Sequence, residues 1–344
     1  MKLLDLFSGI GGFHLGLEQS GFKFDWVGFS EIDKYASKQY KKRFPNAKEL
    51  GSVTDIQCEQ LPKHIDILCG GFPCQSFSQA GLRGGFKDTR GTLFFEIVRI
   101  LRHYKDSGNP IPCFILENVK GLLSHDDGRT FAIIYRVLTD LNYSVECQLL
   151  NTRWFLPQNR ERIYIVGHSG GKSRRKVFPI EEDGGEFNKS SREENKKSTS
   201  MQNGYSRTIS SRIHKMGCED TYILDTKGTK KKNQEYAACL SGGGHSGGNH
   251  SDMDLLKIAD YRTDEGIRIR NDGEDMFTLT SQDHHGVMEG SKIRRLTPTE
   301  CERLQGFPDG WTEGQSDTQR YKQLGNAVSV PVVKAVGDKL IELL

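Results

Sequence analysis

The stretch "DLFSGIGGFHLGL" (5–17) decides the fold, because a strand runs there into a glycine-rich turn and then into a helix. Gly9, Gly11 and Gly12 let the backbone approach a ligand closely, and the helix amino terminus offers free N–H groups. Glu31 ends the next strand-like run about 20 residues later, where an acid binds ribose hydroxyls. The pattern favours an adenosine-containing cofactor, although an ordinary tight strand–helix connection has the same glycines.

The first half of the chain alternates strand-like and helix-like segments. Short buried strands are predicted for six apolar runs: 2–7, 26–31, 65–71, 113–119, 144–150 and 161–167. Between the third and fourth runs, apolar residues recur at helical spacing: Leu93, Ile97, Leu101 and Tyr104. The same spacing recurs between the fourth and fifth runs, at Phe131, Ile134, Leu138 and Leu141. This alternation predicts an α/β fold with an open, largely parallel, Rossmann-like sheet, helices on both faces and a ligand crevice at the carboxyl ends of the strands.

Composition limits the kind of protein. With 344 residues the chain can bury a full core, which we expect to be divided between two domains. No apolar run approaches about twenty residues, and the first residues lack the layout of a signal peptide, so a soluble protein is expected. The eight cysteines form no C-x-x-C pair, which gives no support to a zinc ribbon or to thioredoxin-type chemistry. Several of them lie in apolar strand-like runs, which favours a reducing cytosol. Because the net charge is only +3, any nucleic acid must be bound by local basic clusters.

The region 168–293 is rich in glycine and lacks sustained helical periodicity. Three phrases in it (207–217, 238–248 and 277–287) each contain an aliphatic residue, then Ser or Thr, then a turn with His and Gly. This weak repeat suits a smaller β-rich domain of strands and hairpin loops. The loop histidines lack cysteine or carboxylate partners, so no metal site is predicted.

A cysteine and a glutamate end neighbouring strands of the predicted sheet. Cys74 follows the third strand behind Pro73 and leads into a polar, glycine-rich loop able to close over a substrate. Glu117 ends the fourth strand, at the same edge of the sheet. An exposed, stabilised thiolate can act as a nucleophile, and a carboxyl group beside it can donate a proton. Taken singly, Cys74 also fits an inert cysteine at a strand end, and Glu117 a cap of the following turn.

Two arginines stand at the start of the sixth run. Arg160 and Arg162 alternate, so a strand would place them on one face. Two guanidinium groups there suit a phosphate or another anionic group, whereas two solvated arginines of an edge strand would have the same spacing.

Seven phrases occur in the order in which one protein family has them: "DLFSGIGGF" (5–13), "EID" (31–33), "GGFPCQSFS" (70–78), "ENV" (117–119), "QNRERIYIVG" (158–167), "RRLTPTECERLQGFP" (294–308) and "GNAVSVPV" (325–332). In these phrases the chain resembles the DNA cytosine-5 methyltransferases of bacterial restriction–modification type. The resemblance covers roughly residues 1–167 and 294–344. It implies transfer of a methyl group from S-adenosylmethionine to C5 of a flipped-out cytosine within a short, specific sequence of double-stranded DNA.

The resemblance also implies roles for the catalytic residues. Cys74 would add to C6 of the cytosine, which makes C5 an enamine-like nucleophile. Glu117 would contact N3 and the exocyclic amine. Arg162, with Arg160 behind it, matches the arginine pair that this family has near the target base and the active-site loop.

The resemblance also implies which residues surround the cofactor. The positions that match it are Phe7, Gly9, Gly11, Gly12, Glu31 as the ribose-binding acid, Ile32 against the adenine, Pro73, Leu93, Asn326 and Val328. The chain departs from the family at Ser52, where an acid usually contacts the adenine amino group. Three alternatives follow: the serine hydroxyl replaces that acid, Asp55 reaches in instead, or the contact is lost.

On the DNA side the resemblance implies a target recognition domain, at 179–314, inserted into a catalytic domain formed by 1–178 and 315–344. Gln75, Ser78 and Arg83 belong to the loop that would close on the flipped base. Thr208 and Thr278 each begin a phrase like the Thr-Leu element of that domain, and Cys239-Leu240 matches it less well. Lysines at 227 and 230–232 either meet phosphates or form a solvated loop.

Three rival functions remain to be weighed. A nicotinamide-dependent oxidoreductase has no use for Cys74 and Glu117 on one edge, and His14 occupies the position of its third glycine. A tRNA-directed relative would have a shorter recognition region, and a non-catalytic paralogue would have lost the nucleophile or the acid. We expect a monomeric cytoplasmic enzyme without a membrane segment, alongside which a cognate restriction endonuclease would act separately.

Overall fold

The computed structural model describes residues 1–73, 93–170, 176–181, 257–262, 266–270, 278–279, 284–289 and 292–343. Five predicted site residues lie outside these ranges: Cys74, Gln75, Ser78, Arg83 and Thr208. Cys239-Leu240 and the lysines at 227 and 230–232 also lie outside them.

A seven-stranded sheet forms the centre of the described chain. Its strands are β1 (Lys2–Leu6), β2 (Trp26–Ser30), β3 (Lys48–Glu49), β4 (Ile67–Gly71), β5 (Cys113–Val119), β6 (Tyr143–Asn151) and β7 (Glu161–Ser169). Their spatial order is β3-β2-β1-β4-β5-β7-β6, with parallel pairing from β3 to β5 and antiparallel pairing of β7 with both neighbours. The prediction of an open, largely parallel α/β sheet is confirmed.

The antiparallel strand results from a short connection. Residues 152–160 join β6 to β7 through a single 3-10 turn (Thr152–Trp154) without an α-helix. A parallel pair needs a crossover of about a dozen residues or more, so this connection can form only a hairpin. The two-residue edge strand β3 has exposed, charged side chains, and for that reason no apolar run predicts it.

Seven α-helices accompany the sheet in the described ranges: α1 (Gly12–Gln19), α2 (Lys34–Arg43), α3 (Phe94–Asp106), α4 (Arg129–Asp140), α5 (Pro298–Gln305), α6 (Asp317–Asn326) and α7 (Val330–Ile341). Side chains of α3 and α4 pack into one core with Leu4 of β1, and those of α1 and α7 pack into another with its neighbour Leu3. Successive residues of a strand point to opposite faces, so both faces of the sheet are covered.

The end of the chain returns to the first strand–helix unit. Helix α7 packs on α1, which confirms that the terminal helix folds back onto the first domain. The segment before it does the same: Trp311 Nε1 donates to the Ile10 carbonyl at 3.0 Å, and Arg43 Nε donates to the Trp311 carbonyl at 2.8 Å. The domain boundary after residue 314 stays a prediction, and these contacts favour one nearer Leu296.

A second, smaller sheet lies within the predicted recognition region. It is antiparallel, in the order β11-β10-β8-β9, and its strands are β8 (Lys257–Arg262), β9 (Gly266–Arg270), β10 (His284–Glu289) and β11 (Lys292–Arg295). These strands agree with the expected β-rich character of the region. None of the helices in the described ranges is long and apolar enough to span a bilayer.

The α1–α7 contact gives the first testable prediction. A Cβ atom on Gly16 would lie 2.6 Å from Val333 Cγ1 and 3.0 Å from the Val330 carbonyl oxygen. We expect Gly16→Val to lower the free energy of unfolding by about 2 kcal/mol, because overpacking forces the two helices apart. Urea unfolding measures this change. Gly121→Ala is the matched control, since a Cβ there meets no atom within 4 Å; an equal loss in both variants would contradict the packing argument.

Candidate active site at the carboxyl edge of the sheet

A cavity of about 530 Å³ lies at the carboxyl ends of the parallel strands. Eleven of the predicted site residues line it: Phe7, Gly9, Glu31, Ile32, Ser52, Pro73, Leu93, Glu117, Arg160, Arg162 and Asn326. They come from the loops that follow β1, β2, β3 and β4, from the end of β5, and from the starts of α3 and β7 and the end of α6. The volume of the cavity falls in the range of about 300–1,000 Å³ that small-molecule and cofactor sites occupy.

The glycine turn and Glu31 form one end of the cavity. Gly9 has a φ of +54°, and a Cβ there would meet no protein atom within 4 Å, so the backbone faces open space. Gly9 N–H donates to Glu31 Oε2 at 2.8 Å, and Asp33 N–H donates to Glu31 Oε1 at 2.8 Å. Each carboxylate oxygen keeps a lone pair for a further donor. This geometry suits an acid that binds a pair of ribose hydroxyls.

Three predicted cofactor residues do not line the cavity. A Cβ on Gly11 would lie 2.5 Å from Phe44 Cε2, and a Cβ on Gly12 would lie 2.6 Å from Val328 Cγ2. Gly11, Gly12 and Val328 pack together in a way that lets the start of α1 approach the end of α2 and the turn before α7, and their cofactor contacts stay a prediction. Gly11 also has a φ of +87° as the N-cap of α1, a conformation that favours glycine.

An exposed apolar side chain stands beside Glu31. Ile32 is 78% exposed, although isoleucine is normally buried. It lines the cavity together with Val53, a neighbour of Ser52 that the sequence does not single out. Exposed apolar surface inside a cleft is typical of a ligand site, and here it suits a flat aromatic ring.

Glu117 and Arg162 form an ion pair inside the cavity. Arg162 Nε lies 3.1 Å from Glu117 Oε1, and both side chains are largely buried. The other carboxylate oxygen, Oε2, lies 3.2 Å from the position a Cβ on Gly71 would take. Gly71 ends β4, three residues before Cys74. The carboxylate therefore lies over the chain that leads to the predicted nucleophile.

Asn118 fixes that same chain. Its Nδ2 donates to the Phe72 carbonyl at 2.9 Å, and its Oδ1 accepts from Val119 N–H at 2.8 Å. Asn118 is 2% exposed, so water does not compete for these bonds. Asn118 belongs to the "ENV" phrase, and its position beside Glu117 was the available signal for this role.

Arg160 lies behind Arg162 and makes backbone contacts that the sequence does not predict. Its Nη1 donates to the carbonyls of Leu279 at 2.9 Å and Gly325 at 3.2 Å, and its Nη2 donates to that of Ala327 at 2.8 Å. The residue is 3% exposed, and burial lowers the pKa of its guanidinium to about 9. Arg160 thus ties three backbone segments together, and it is Arg162 that meets the carboxylate.

Thr278 lies next to this arginine. Its Oγ1 donates to the Asn159 carbonyl at 2.5 Å, and Leu279 is buried among side chains of α5, α6 and the turn after α5. Of the three Thr-Leu-like phrases, this one lies within the described residues. Arg160 lines the cavity and donates to the Leu279 carbonyl, so the Thr278–Leu279 phrase lies next to the cavity wall.

A second ion pair crosses the cavity wall. Lys322 Nζ lies 2.6 Å from Asp33 Oδ2, and both residues line the cavity although neither was predicted to. Burial alone would raise the pKa of Asp33, but hydrogen bonds from Lys322, Tyr35 N–H and Ala36 N–H together lower it. Lys322 lies three residues before Gly325, the first residue of the "GNAV" phrase, which was the available signal.

The cysteines of the described chain contrast with the predicted nucleophile. Five of them are buried: Cys58, Cys69, Cys113, Cys147 and Cys301. Burial raises the pKa of each thiol, so little thiolate forms at neutral pH. These five residues act as small apolar side chains, as the strand-like runs around Cys69 and Cys113 predict.

Comparison with known proteins decides the family. A family model described as "C-5 cytosine-specific DNA methylase" matches residues 1–342. The chain belongs to this family. Among its curated relatives, the Type II methyltransferase M1.ScrFI of Lactococcus lactis subsp. cremoris is 39% identical over 100% of this chain and 78% of its own length. The Type II methyltransferase M.HpaII of Haemophilus parainfluenzae is 38% identical over 99% and 89%.

Solved structures agree on the fold of this C-5 cytosine methylase. An Entamoeba histolytica methyltransferase, EhMeth, has a TM-score of 0.60 at 17% identity and covers 99% of this chain and 98% of its own. The Dnmt2 methyltransferase of S. pombe has a TM-score of 0.59 at 17% identity, with coverage of 100% and 99%. At these identities the likeness concerns the fold alone.

The chain is therefore a DNA cytosine-5-methyltransferase, and its cofactor is S-adenosylmethionine. The cavity fits that cofactor: Glu31 offers acceptors for ribose hydroxyls, Ile32 and Val53 offer an apolar wall, and Gly9 faces open space. In the described ranges, no cluster of three His, Cys, Asp or Glu side chains could hold a metal ion.

Proposed function

We propose that this enzyme methylates a flipped-out cytosine within a short, specific duplex sequence through a covalent bond between Cys74 and C6. The observation that carries the proposal is the position of Glu117. Its carboxylate lies over Gly71, in the same cavity as Glu31 and Ile32. A base held by Glu117 would thus lie between the strand that leads to Cys74 and the cofactor end of the cavity.

The covalent step answers a chemical difficulty, since C5 of unmodified cytosine is a poor nucleophile. The Cys74 thiolate forms a bond to C6, and the electrons of the C5–C6 double bond move into the ring. Glu117 faces N3 and the exocyclic amine and offsets the charge that develops there. Bound S-adenosylmethionine would supply the electrophilic methyl group to C5 and would leave as S-adenosylhomocysteine. Loss of the C5 proton to water or a basic group then returns electrons to the ring and expels the thiolate.

The neighbouring residues would hold this arrangement. Arg162 keeps the Glu117 carboxylate in place through its 3.1 Å contact. Asn118 fixes the backbone of Phe72, two residues before Cys74. Both are positioning roles, because neither side chain is required to bond to the reacting carbon atoms.

The substrate would be duplex DNA, from which the base must be extruded at a cost of about a few kcal/mol. A tRNA-directed function is the second candidate. The relatives named above, at 38–39% identity, are Type II methyltransferases, which favours DNA. Thr278–Leu279 is the described candidate for the Thr-Leu element that reads bases, since it is anchored beside Arg160.

The setting of the enzyme is part of the proposal. We infer a monomer in the cytoplasm, where DNA is accessible, with a cognate restriction endonuclease acting as a separate protein. The Type II names of the relatives support the restriction–modification setting.

Two measurements test the function. Incubation with labelled S-adenosylmethionine and DNA of diverse sequence should place the label at cytosine C5, whereas tRNA should remain unlabelled. A duplex with 5-fluorocytosine at the mapped site should become covalently attached to the peptide that contains Cys74, because fluorine cannot leave as the proton does. Label on tRNA alone would refute the DNA substrate. Normal labelling of DNA without any trapped peptide would refute the covalent step.

A further inference from the structure

An ion pair joins two walls of the cofactor cavity close to its opening. Lys322 Nζ lies 2.6 Å from Asp33 Oδ2, and both residues line the cavity. The Lys322 side chain is 47% exposed, whereas the Glu117 side chain of the other ion pair in the cavity is 11% exposed. The Lys322–Asp33 pair therefore lies near solvent, at the mouth of the cavity.

The pair connects two segments that carry predicted cofactor residues. Asp33 follows Glu31 and Ile32, and its N–H donates to Glu31 Oε1 at 2.8 Å. Lys322 lies on α6 four residues before Asn326, so the two residues share one face of that helix. The ion pair thus ties the end of the cavity that Glu31 forms to the wall that α6 forms.

Hydrogen bonds outside the cavity lining hold the same two segments together. Gln315 Nε2 donates to the Tyr35 carbonyl at 2.9 Å, and Gln323 Nε2 donates to Gln315 Oε1 at 2.7 Å. Neither Tyr35 nor Gln315 lines the cavity. Lys322 can therefore turn away from Asp33 by rotation of its flexible side chain, while these hydrogen bonds keep the backbone in place.

We propose that the Lys322–Asp33 pair is a strap over the mouth of the cavity, which opens each time S-adenosylmethionine enters or S-adenosylhomocysteine leaves. The inference rests on the cofactor of the enzyme and not on its DNA substrate. A strap that is closed in both the free and the bound enzyme slows entry and exit by the same factor. It therefore controls the rate of cofactor exchange and leaves the affinity unchanged.

Surface plasmon resonance with the immobilised enzyme and S-adenosylhomocysteine, without DNA, measures both rate constants. Lys322→Met removes the charge and nearly keeps the length of the side chain. Asp33→Asn removes the other charge and keeps the cap of α2, because Oδ1 accepts the N–H groups of Tyr35 and Ala36 while Oδ2 faces the lysine. Each variant should raise the association and dissociation rate constants about 3-fold and keep Kd within about 2-fold, as expected for an ion pair near solvent.

Three further variants separate the strap from other roles. Lys322→Arg keeps the charge and should keep the slow exchange. Lys334→Met breaks the Lys334–Asp338 pair of α7, which has a similar distance of 2.7 Å but lies outside the cavity lining, and should keep both rate constants. The double variant of Lys322→Met with Asp33→Asn should exchange no faster than either single variant, because both remove the same contact.

Salt provides a test that needs no variant to fold. S-adenosylhomocysteine carries no net charge at neutral pH, so long-range attraction contributes little to its binding. Raising NaCl from about 0.05 M to about 0.5 M screens the half-exposed ion pair. This change should raise both rate constants of the wild-type enzyme about 2-fold, and it should have no effect in Lys322→Met.

Several results would overturn the inference. Faster dissociation without faster association would mean that Lys322 binds the cofactor directly. Slower association with a weaker Kd would mean that the pair only maintains the shape of the cavity. Unchanged rate constants in both variants, or an equal acceleration in Lys334→Met, would leave the pair without a role in exchange. These readouts do not involve methyl transfer to DNA, so they are distinct from a failure of the function proposed above.

Discussion

Glu117→Gln should slow methyl transfer to duplex DNA by about 10²–10⁴-fold. The amide has the shape of the carboxylate but can neither carry its charge nor exchange its proton. The charge that develops on the cytosine ring would then lack its partner. Arg162, 3.1 Å from the carboxylate, would lose its counterion as well. Single-turnover rates with saturating DNA report this loss, and the affinity for S-adenosylhomocysteine should change little.

Glu161→Gln is the matched control for this experiment. Glu161 lies one residue before Arg162 but pairs with the exposed Lys120 at 2.8 Å, outside the cavity lining. The methyl-transfer rate of the Glu161→Gln variant should stay within about 2-fold of wild type, because exposed ion pairs contribute little to stability. If Glu117→Gln also keeps its rate, Glu117 is a structural residue. If it weakens cofactor binding as strongly as the rate, Glu117 acts on the cofactor side.

The sequence identifies the edge of the sheet at which the site forms, for a physical reason. Apolar runs and helical spacing are local signals, and parallel strands bring their carboxyl ends to one edge. Glu31 and Glu117 could therefore be brought to one cavity without knowledge of the strand order. Arg162 stands at the start of β7, so it reaches this edge only because β7 is antiparallel to β5. The direction of β7 needs a different signal, the length of the connection before it, because residues 152–160 are too few for a parallel crossover.

Glycines and arginines show where sequence reasoning stops. A glycine is required wherever the backbone comes close to something, and the sequence does not distinguish a glycine that faces an open cavity, as at Gly9, from one that packs on a neighbouring turn, as at Gly12. The alternation of Arg160 and Arg162 suggested that both guanidinium groups share one face and suit an anionic group. Arg160 instead binds carbonyls that lie 119 and 165 residues further along the chain, a relation that only the tertiary fold creates.

Arg160→Lys should lower the free energy of unfolding by about 3 kcal/mol and weaken S-adenosylhomocysteine binding by about 10-fold. The planar guanidinium reaches the carbonyls of Leu279, Gly325 and Ala327 at once. A lysine ammonium has three hydrogens but occupies a single point, so it cannot serve acceptors that lie apart. A buried carbonyl left without a donor costs about 1–3 kcal/mol. Gly325 and Asn326 line the cavity, which explains the expected loss of cofactor affinity.

Arg43→Lys separates this effect from the general loss of a guanidinium. Arg43 also donates to two backbone carbonyls, those of Trp311 and Gly310, but it is only half-buried and does not line the cavity. We expect a loss of about 1 kcal/mol in urea unfolding and unchanged cofactor affinity. If the two variants bind S-adenosylhomocysteine equally well, Arg160 stabilises the fold without shaping the cavity. If only Arg160→Lys binds it more weakly, the three carbonyl contacts hold the cofactor loop in its binding conformation.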